Sequence, residues 1–288
     1  MKHDMKHDMK HIINHMTSSI NAIALVLASV MLLMPMGATA QTMRGDFDMD
    51  GQVNMGDLSR LIDYLLFDYV GEQSAADFDT ITVGDQSFVM VRVEGGVYSK
   101  EYGKSIPVET FSIGQTEVTM GLWKAIMGST PTGIYVPGPD YPVCYVSWNE
   151  CQEFIASLNE LTGLTFRLPS TTEWEYAAKG GRLTRVYKYS GGNDIDQVAW
   201  YKDNSDSDVF LYDTYFHQVA TKAPNELGLY DMSGNVEEWC NDFLGFVGEY
   251  AVTRGGSYMS NAENCEIEKT VRYAVGNKVP NGGLRLAL

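Results

Sequence analysis

The sequence predicts a mixed fold of short strands and helices held together by long packed loops, on three observations. From Ile81 apolar and polar residues alternate, as in Ser87-Phe88-Val89-Met90-Val91-Arg92-Val93, the period of a half-buried strand. Two later stretches pair a Ser with a Glu three residues on, Ser147/Glu150 and Ser170/Glu173, the capping-box signature of a helix start. Residues 182–224 are polar, Tyr-rich and without periodicity, so packed loops must take the place of regular elements there. With 288 residues, 44% of them hydrophobic, the chain can bury a sizeable core in one or two domains.

At the N-terminus Lys2, Lys6 and Lys10 precede an apolar run, Ala22 to Met34, that ends in Pro35 and then Ala38-Thr39-Ala40. This is the pattern of a secretory signal over residues 1–40, with cleavage expected before Gln41; the run is too short to span a bilayer. No cysteine lies near that point to carry a lipid anchor. Secretion to the cell surface, periplasm or medium follows as an expectation. The formal charge of −16 becomes −17 without the signal, which carries three Lys against two Asp. Such a chain repels phosphate backbones and anionic lipid, which argues against nucleic acid as a partner. Four of the five histidines, His3, His7, His11 and His15, fall within the signal. His217 alone remains, which excludes any centre that needs two imidazoles. Cys144, Cys151, Cys240 and Cys265 would meet an oxidising compartment, where four cysteines allow three pairings.

Gly45 to Phe67 places carboxylates at alternate positions ahead of an apolar-periodic helix, a short EF-hand-like loop and helix. Asp46, Asp48 and Asp50 fall at positions 1, 3 and 5 of a calcium loop, Gly51 permits the turn, the Gln52 carbonyl serves position 7, and Asn54 and Asp57 close it. Leu58, Leu61, Ile62, Leu65 and Leu66 give the following helix one apolar face. The segment resembles one repeat of a dockerin, the module that docks enzymes onto cohesin scaffolds of extracellular polysaccharide-degrading assemblies. Dockerins pair two such repeats, and residues 68–80, read as a linker, hold no second loop. A calcium-held cap or spacer is the alternative.

In the domain from Ile81, Phe111 to Gly128 reads as a strand and then a helix capped by Thr119 and stopped at Gly128. Residues 129–142 form a Pro- and Gly-rich loop. The helix begun at Ser147 runs through Trp148, Cys151, Phe154, Ile155 and Leu158 to about Gly163, and the one begun at Ser170 stops at Gly180-Gly181. Glu173 and Glu175 do not make an acid/base pair, since one caps the helix and residues two apart on a helix do not converge.

Four blocks, IGQTEVTMGLWKAIMG, PVCYVSWNECQEFI, RLPSTTEWEYAAKGG and GLYDMSGNVEEW, followed by RGGSY and the closing GGLRLAL, stand in one order over about residues 81–288. Together they resemble the formylglycine-generating enzyme family of sulfatase-modifying factors. The resemblance implies a loop-rich α+β domain of the C-type-lectin-like kind. It also implies an oxidase that converts a sulfatase cysteine to formylglycine with O₂, using copper(I) held by two thiolates in GGS-x-x-C-x-x-x-x-C. Here the second cysteine is Cys265, but the first is Ser260. A hydroxyl that stays protonated at neutral pH is a hard ligand and cannot replace a soft thiolate, so copper is not expected to bind.

The resemblance places Ser257 in a substrate cleft. Cys265 and Ser257 would be the catalytic residues if the chain were active. Otherwise Ser257, Tyr258, Ser260, Asn261 and Asn264 line a binding cleft for an extracellular protein or glycan, with Tyr273 and Asn277 as further contacts. The same lectin-like fold serves some variable bacterial and phage binding proteins. A second calcium site is implied on the Asp231 and Glu238 side chains with the Gly234 and Val236 carbonyls. Two alternatives stand beside the binding reading: an oxidase completed by Cys144, Cys151 or Cys240, and an assembly protein that docks through residues 45–67. The Gly-x-Ser-x-Gly elbow and the phosphate-cradling Gly-Lys-Ser/Thr loop are absent. No oxyanion motif accompanies Cys265 or His217, which argues against a Cys–His hydrolase.

Overall fold

The computed structural model describes residues 78–100, 104–131, 138–205, 216–244 and 249–288. The expected signal and the calcium loop at 45–67 lie outside the described residues. All described residues belong to one compact unit, Ser74–Leu288.

Strand β1 (Phe78–Val83) pairs antiparallel with β2 (Gln86–Val93), which pairs with β5 (Phe111–Gly114). The domain's first strand thus starts at Phe78, opposite Val91, three residues before the alternation alone placed it. A second hairpin joins β3 (Gly96–Lys100) and β4 (Lys104–Val108). Helix α1 (Met120–Met127) is capped by the Thr119 hydroxyl, which accepts from Leu122 N, and ends on left-handed Gly128. Helices α2 (Trp148–Thr162) and α3 (Thr171–Ala178) each start in a complete capping box, on Ser147/Glu150 and Ser170/Glu173. These are the helices the local signals specify, because a cap satisfies orphan N–H groups with side chains only three residues away.

The third sheet runs β8-β7-β6-β9, from β6 (Glu237–Leu244), β7 (Tyr250–Arg254), β8 (Thr270–Ala274) and β9 (Gly282–Gly283), the β6–β9 pair being parallel. Between α3 and this sheet, the described residues of 182–224 contribute one short helix, α4 (Ile195–Val198), besides the 3₁₀ turn Gly181–Leu183. Two large apolar clusters hold the layers together. One packs α1 and α2 under Trp239, with Trp123 stacked on Phe154 at 5.0 Å. The other buries Trp174, Ile113 and Met232 between α3 and the first sheet. Among the described residues, short strands, four helices and long loops make this an α+β domain, and no helix is long and apolar enough to cross a membrane.

Candidate functional site

The stretch Arg254 to Cys265 leaves the end of β7 in a tight turn. Arg254 is buried and donates to Glu175 Oε2 at 2.7 Å, while the Tyr98 hydroxyl donates to the other oxygen of that carboxylate. Glu175 is thus a structural anchor, and Glu173 is held by Ser170 and Arg167, so the two carboxylates serve separate partners. Gly255 and Gly256 follow with φ of 88° and 67°. A Cβ on Gly256 would lie 2.6 Å from the Asn264 carbonyl oxygen and 2.9 Å from Cys265 Sγ, so only glycine lets the turn press on the 3₁₀ segment Ala262–Cys265.

Ser257 is fully buried, not at a cleft surface. Its Oγ accepts from Asn281 Nδ2 at 2.7 Å and Met259 N at 3.2 Å, and its N–H donates to Ser260 Oγ at 3.0 Å. Ser260 N returns a bond to the Ser257 carbonyl at 2.9 Å, and Lys202 N donates to the Ser260 carbonyl at 3.0 Å. Both serines therefore hold the turn's shape. Tyr258 and Ser260 are half-buried and Asn261 and Asn264 exposed, so these four, not Ser257, are the cleft candidates with surface to offer.

Cys265 is buried with Tyr189, Val198, Ala199 and Tyr201. Burial pushes its thiol up to about 12, so it carries its proton at neutral pH. All four cysteines are free and buried, so none of the three pairings is realised. Each also sits in a different apolar cluster: Cys151 under Trp239, Cys240 beside Trp174, Cys144 with Phe216 and Val236. None of the three stands with Cys265 to complete a two-sulfur site. The His217 ring stacks on Trp200 at 3.6 Å.

The turn before β6 supplies the second half of the site. Asp231, Gly234 and Asn235 all have left-handed backbones, at φ 58°, 80° and 55°. Gly234 is required, since a Cβ there would lie 2.2 Å from the Trp200 carbonyl oxygen. Gly234 N donates to the Gly255 carbonyl and Tyr258 N to the Asn235 carbonyl, which fastens this turn to the RGGS turn. Asn235 Nδ2 and Val236 N both donate to Glu117, at 2.8 and 2.9 Å. The sequence reading missed Glu117: one carboxylate ahead of the Thr119 cap carries no local signal of a partner 119 residues away.

Glu238 is buried and gives both oxygens to Arg285 at 2.7–3.0 Å, with Trp174 Nε1 at 2.5 Å. Glu237, its neighbour, turns the other way. Oε2 accepts from Thr253 Oγ1 at 2.7 Å, and Oε1 from Asn281 Nδ2 at 2.9 Å and the Tyr273 hydroxyl at 3.5 Å. They are therefore not a catalytic pair, as alternation along a strand requires. Burial raises Glu237 above the usual carboxylate range.

The implied calcium ligands fit in part. Asp231 Oδ2 accepts from Ala220 N at 2.7 Å, but its buried Oδ1 has no hydrogen-bond partner, which suits a hard cation. Burial raises Asp231 to about 6, and burial together with Asp231 and Glu238 raises Glu117. Glu238 gives its oxygens to the Arg285 cation and Glu117 gives its own to the neutral donors Asn235 Nδ2 and Val236 N, so Glu117 is the nearby carboxylate without a bonded counter-charge. Among the described residues no group of three or more His, Cys, Asp or Glu side chains is gathered closely enough to hold a metal by itself. A cation here would need backbone carbonyls, as the expected Gly234 and Val236 contribution supposes.

These blocks define the class. Residues 77–288 match the sulfatase-modifying factor enzyme 1-like domain, and the chain belongs to that family. It is 28% identical over 277 residues to the chaperone protein LppX of Paenibacillus barcinonensis, covering 78% of this chain and 97% of that one. It is 30% identical over 184 residues to the formylglycine-generating enzyme of Thermomonospora curvata, covering 55% of this chain and 56% of that enzyme. Among solved structures, Treponema denticola variable protein 1 superimposes with a TM-score of 0.62 at 28% identity, over 73% of this chain and 98% of that one.

Proposed function

We propose that the chain is a secreted, calcium-stabilised member of this family that lacks copper oxidase activity and binds an extracellular ligand or partner. One observation carries the reading: Ser260 stands where the first copper thiolate would be, and Cys265 is a protonated thiol with no second sulfur in its cluster. A copper(I) site needs a pair of soft sulfur donors, and Cys265 supplies one. The scaffold around it is intact, with two fastened turns and a half-exposed rim at Tyr258, Ser260, Asn261 and Asn264. The likeness to Treponema denticola variable protein 1 fits such a rim serving recognition, although likeness of fold does not fix a ligand.

Calcium belongs to the same reading. Glu117, Asp231 and Glu238 are buried around a single guanidinium, Arg285, so the ionised cluster is two positive charges short. A divalent cation on Asp231 and Glu117 would supply them and accept hard oxygen ligands. The loop at Asp46, Asp48, Asp50, Gln52, Asn54 and Asp57 is proposed as a second calcium site on sequence pattern alone.

The test is to load the purified protein with copper(I), incubate it with a Cys-x-Pro-x-Arg peptide under O₂, and measure formylglycine by mass spectrometry. The reading expects unreacted peptide, while an active family enzyme in parallel converts it. Formylglycine made by this chain would overturn it.

A further inference from the structure

The domain buries several carboxylates, and Glu237 differs from the others. Glu175 has Arg254 at 2.7 Å, Glu238 has Arg285 at 2.7 Å, and Glu117 and Asp231 feel the same Arg285. Glu237 is 4% exposed, and every group that bonds to it is neutral: the Thr253 hydroxyl, the Asn281 amide and the Tyr273 hydroxyl. No Lys or Arg among the described residues pairs with it. A buried carboxylate that lacks a counter-ion is costly when ionised.

The two oxygens differ in what covers them. Oε2 faces inward to fully buried Thr253, whereas Oε1 is covered by Asn281 and Tyr273, both half-buried. The Tyr273 bond, at 3.5 Å, is the long one and the most readily displaced. Asn281 Nδ2 spans from Glu237 Oε1 to Ser257 Oγ at 2.7 Å, so a group arriving at Oε1 lies next to the RGGS turn.

We infer that Glu237 is the anionic floor of the recognition site, and that it takes an organic cation, an alkylammonium or alkylguanidinium group of the ligand, at Oε1 beside Asn281 and Tyr273. The inference rests on the binding reading proposed above and narrows it to a ligand class. Such a cation supplies a counter-charge at a buried carboxylate whose bonded partners are all neutral. The net charge of −16 steers cationic ligands toward the molecule in the same sense.

The experiment titrates the full-length protein with n-butylammonium chloride and, separately, n-butylguanidinium chloride, followed by amide NMR at constant ionic strength with n-butanol as the neutral control. Saturable shifts are expected at the Asn281 side-chain amide and at the Ser257 and Tyr273 backbone, and none with n-butanol. Comparing the two cations tells a lysine-like from an arginine-like source. Glu237→Gln has the shape of a neutral carboxylic acid and keeps the same donors, so it should fold while losing affinity by at least ~10-fold. Equal affinity in Glu237→Gln would overturn the inference, as would shifts in the wild-type protein confined to residues elsewhere. The wild-type map decides by itself if the variant does not fold. Failure here leaves the peptide-oxidation test untouched, so the loss of this ligand class and the loss of the binding reading are separate results.

Discussion

Arg285 holds Glu238 in a fully buried, two-pronged ion pair, with Nε and Nη2 at 2.7–3.0 Å from the carboxylate, and spends its other donor on the Gly114 carbonyl at 2.8 Å. One side chain near the C-terminus thereby ties β5, β6 and the Tyr230 carbonyl together. The pair's net worth against apolar replacements is small, but removing one partner strands a buried charge. Arg285→Ala should lose about 3–5 kcal/mol in urea unfolding, or fail to fold. Arg285→Lys should be destabilised too, because an ammonium cannot reproduce the planar fork. A loss below about 1 kcal/mol for the alanine variant would mean that water or a cation reaches Glu238 freely.

Acid stability should depend on the capping carboxylate of α3. Burial alone would raise Glu173, but hydrogen bonds from Arg167 and Ser170 outweigh it and hold it below the usual carboxylate range. With the folded pKa depressed, this contribution is present above the unfolded value of about 4.3 and disappears as pH falls through the folded one. Urea midpoints between pH 7 and pH 3 should fall, and Glu173→Gln should show a lower midpoint at pH 7 with a shallower fall. An identical pH slope in both proteins would contradict the role given to Glu173.

Chelation should lower the melting temperature. At a calcium concentration 100 times the dissociation constant, binding to the folded state alone stabilises by about 2.7 kcal/mol, roughly 5–10 °C for a domain of this size. The described site is isolated by Asp231→Asn, which removes charge beside the unpartnered Oδ1. In that variant the calcium-dependent shift should shrink, leaving whatever residues 45–67 contribute. A full shift retained in both Asp231→Asn and Glu117→Gln would remove the site from this turn.

The thiols should be silent in the native state. All four are free and buried, and burial pushes Cys144 and Cys265 up to about 12. Ellman's reagent at pH 8 should find almost no thiol in native protein and four per chain in denaturant. Rapid native labelling at Cys265 would show a reactive, exposed thiol and reopen the oxidase alternative.

What was legible in the sequence was mostly local. Thr119, Ser147 and Ser170 announce their helices because cap and capped N–H lie within three residues. The third sheet was not legible: β7 is buried at four successive positions, Ala251 to Arg254, so it shows no alternation, and β6 has an irregular register between Trp239 and Phe243. The polar anchors were hidden for another reason. Glu117 meets Val236, Arg254 meets Glu175, and Ser257 meets Asn281, pairs that no periodicity connects. The resemblance places Ser257 in a substrate cleft, whereas its burial and its hydrogen bonds from Asn281 and to Ser260 give it a bracing role; Ser260 braces the turn too but stays half-buried at the rim.

The central claim, that this member of the family cannot hold copper, is tested most directly by a copper(I) competition titration under reducing, anaerobic conditions, comparing the wild-type chain with Ser260→Cys. The account predicts no copper retained by the wild-type protein against a thiol-competing chelator. It predicts a gain of at least ~10-fold in affinity, about 1.4 kcal/mol, when Ser260→Cys restores the sulfur spacing to Cys265. One copper(I) held tightly by the wild-type chain would contradict it.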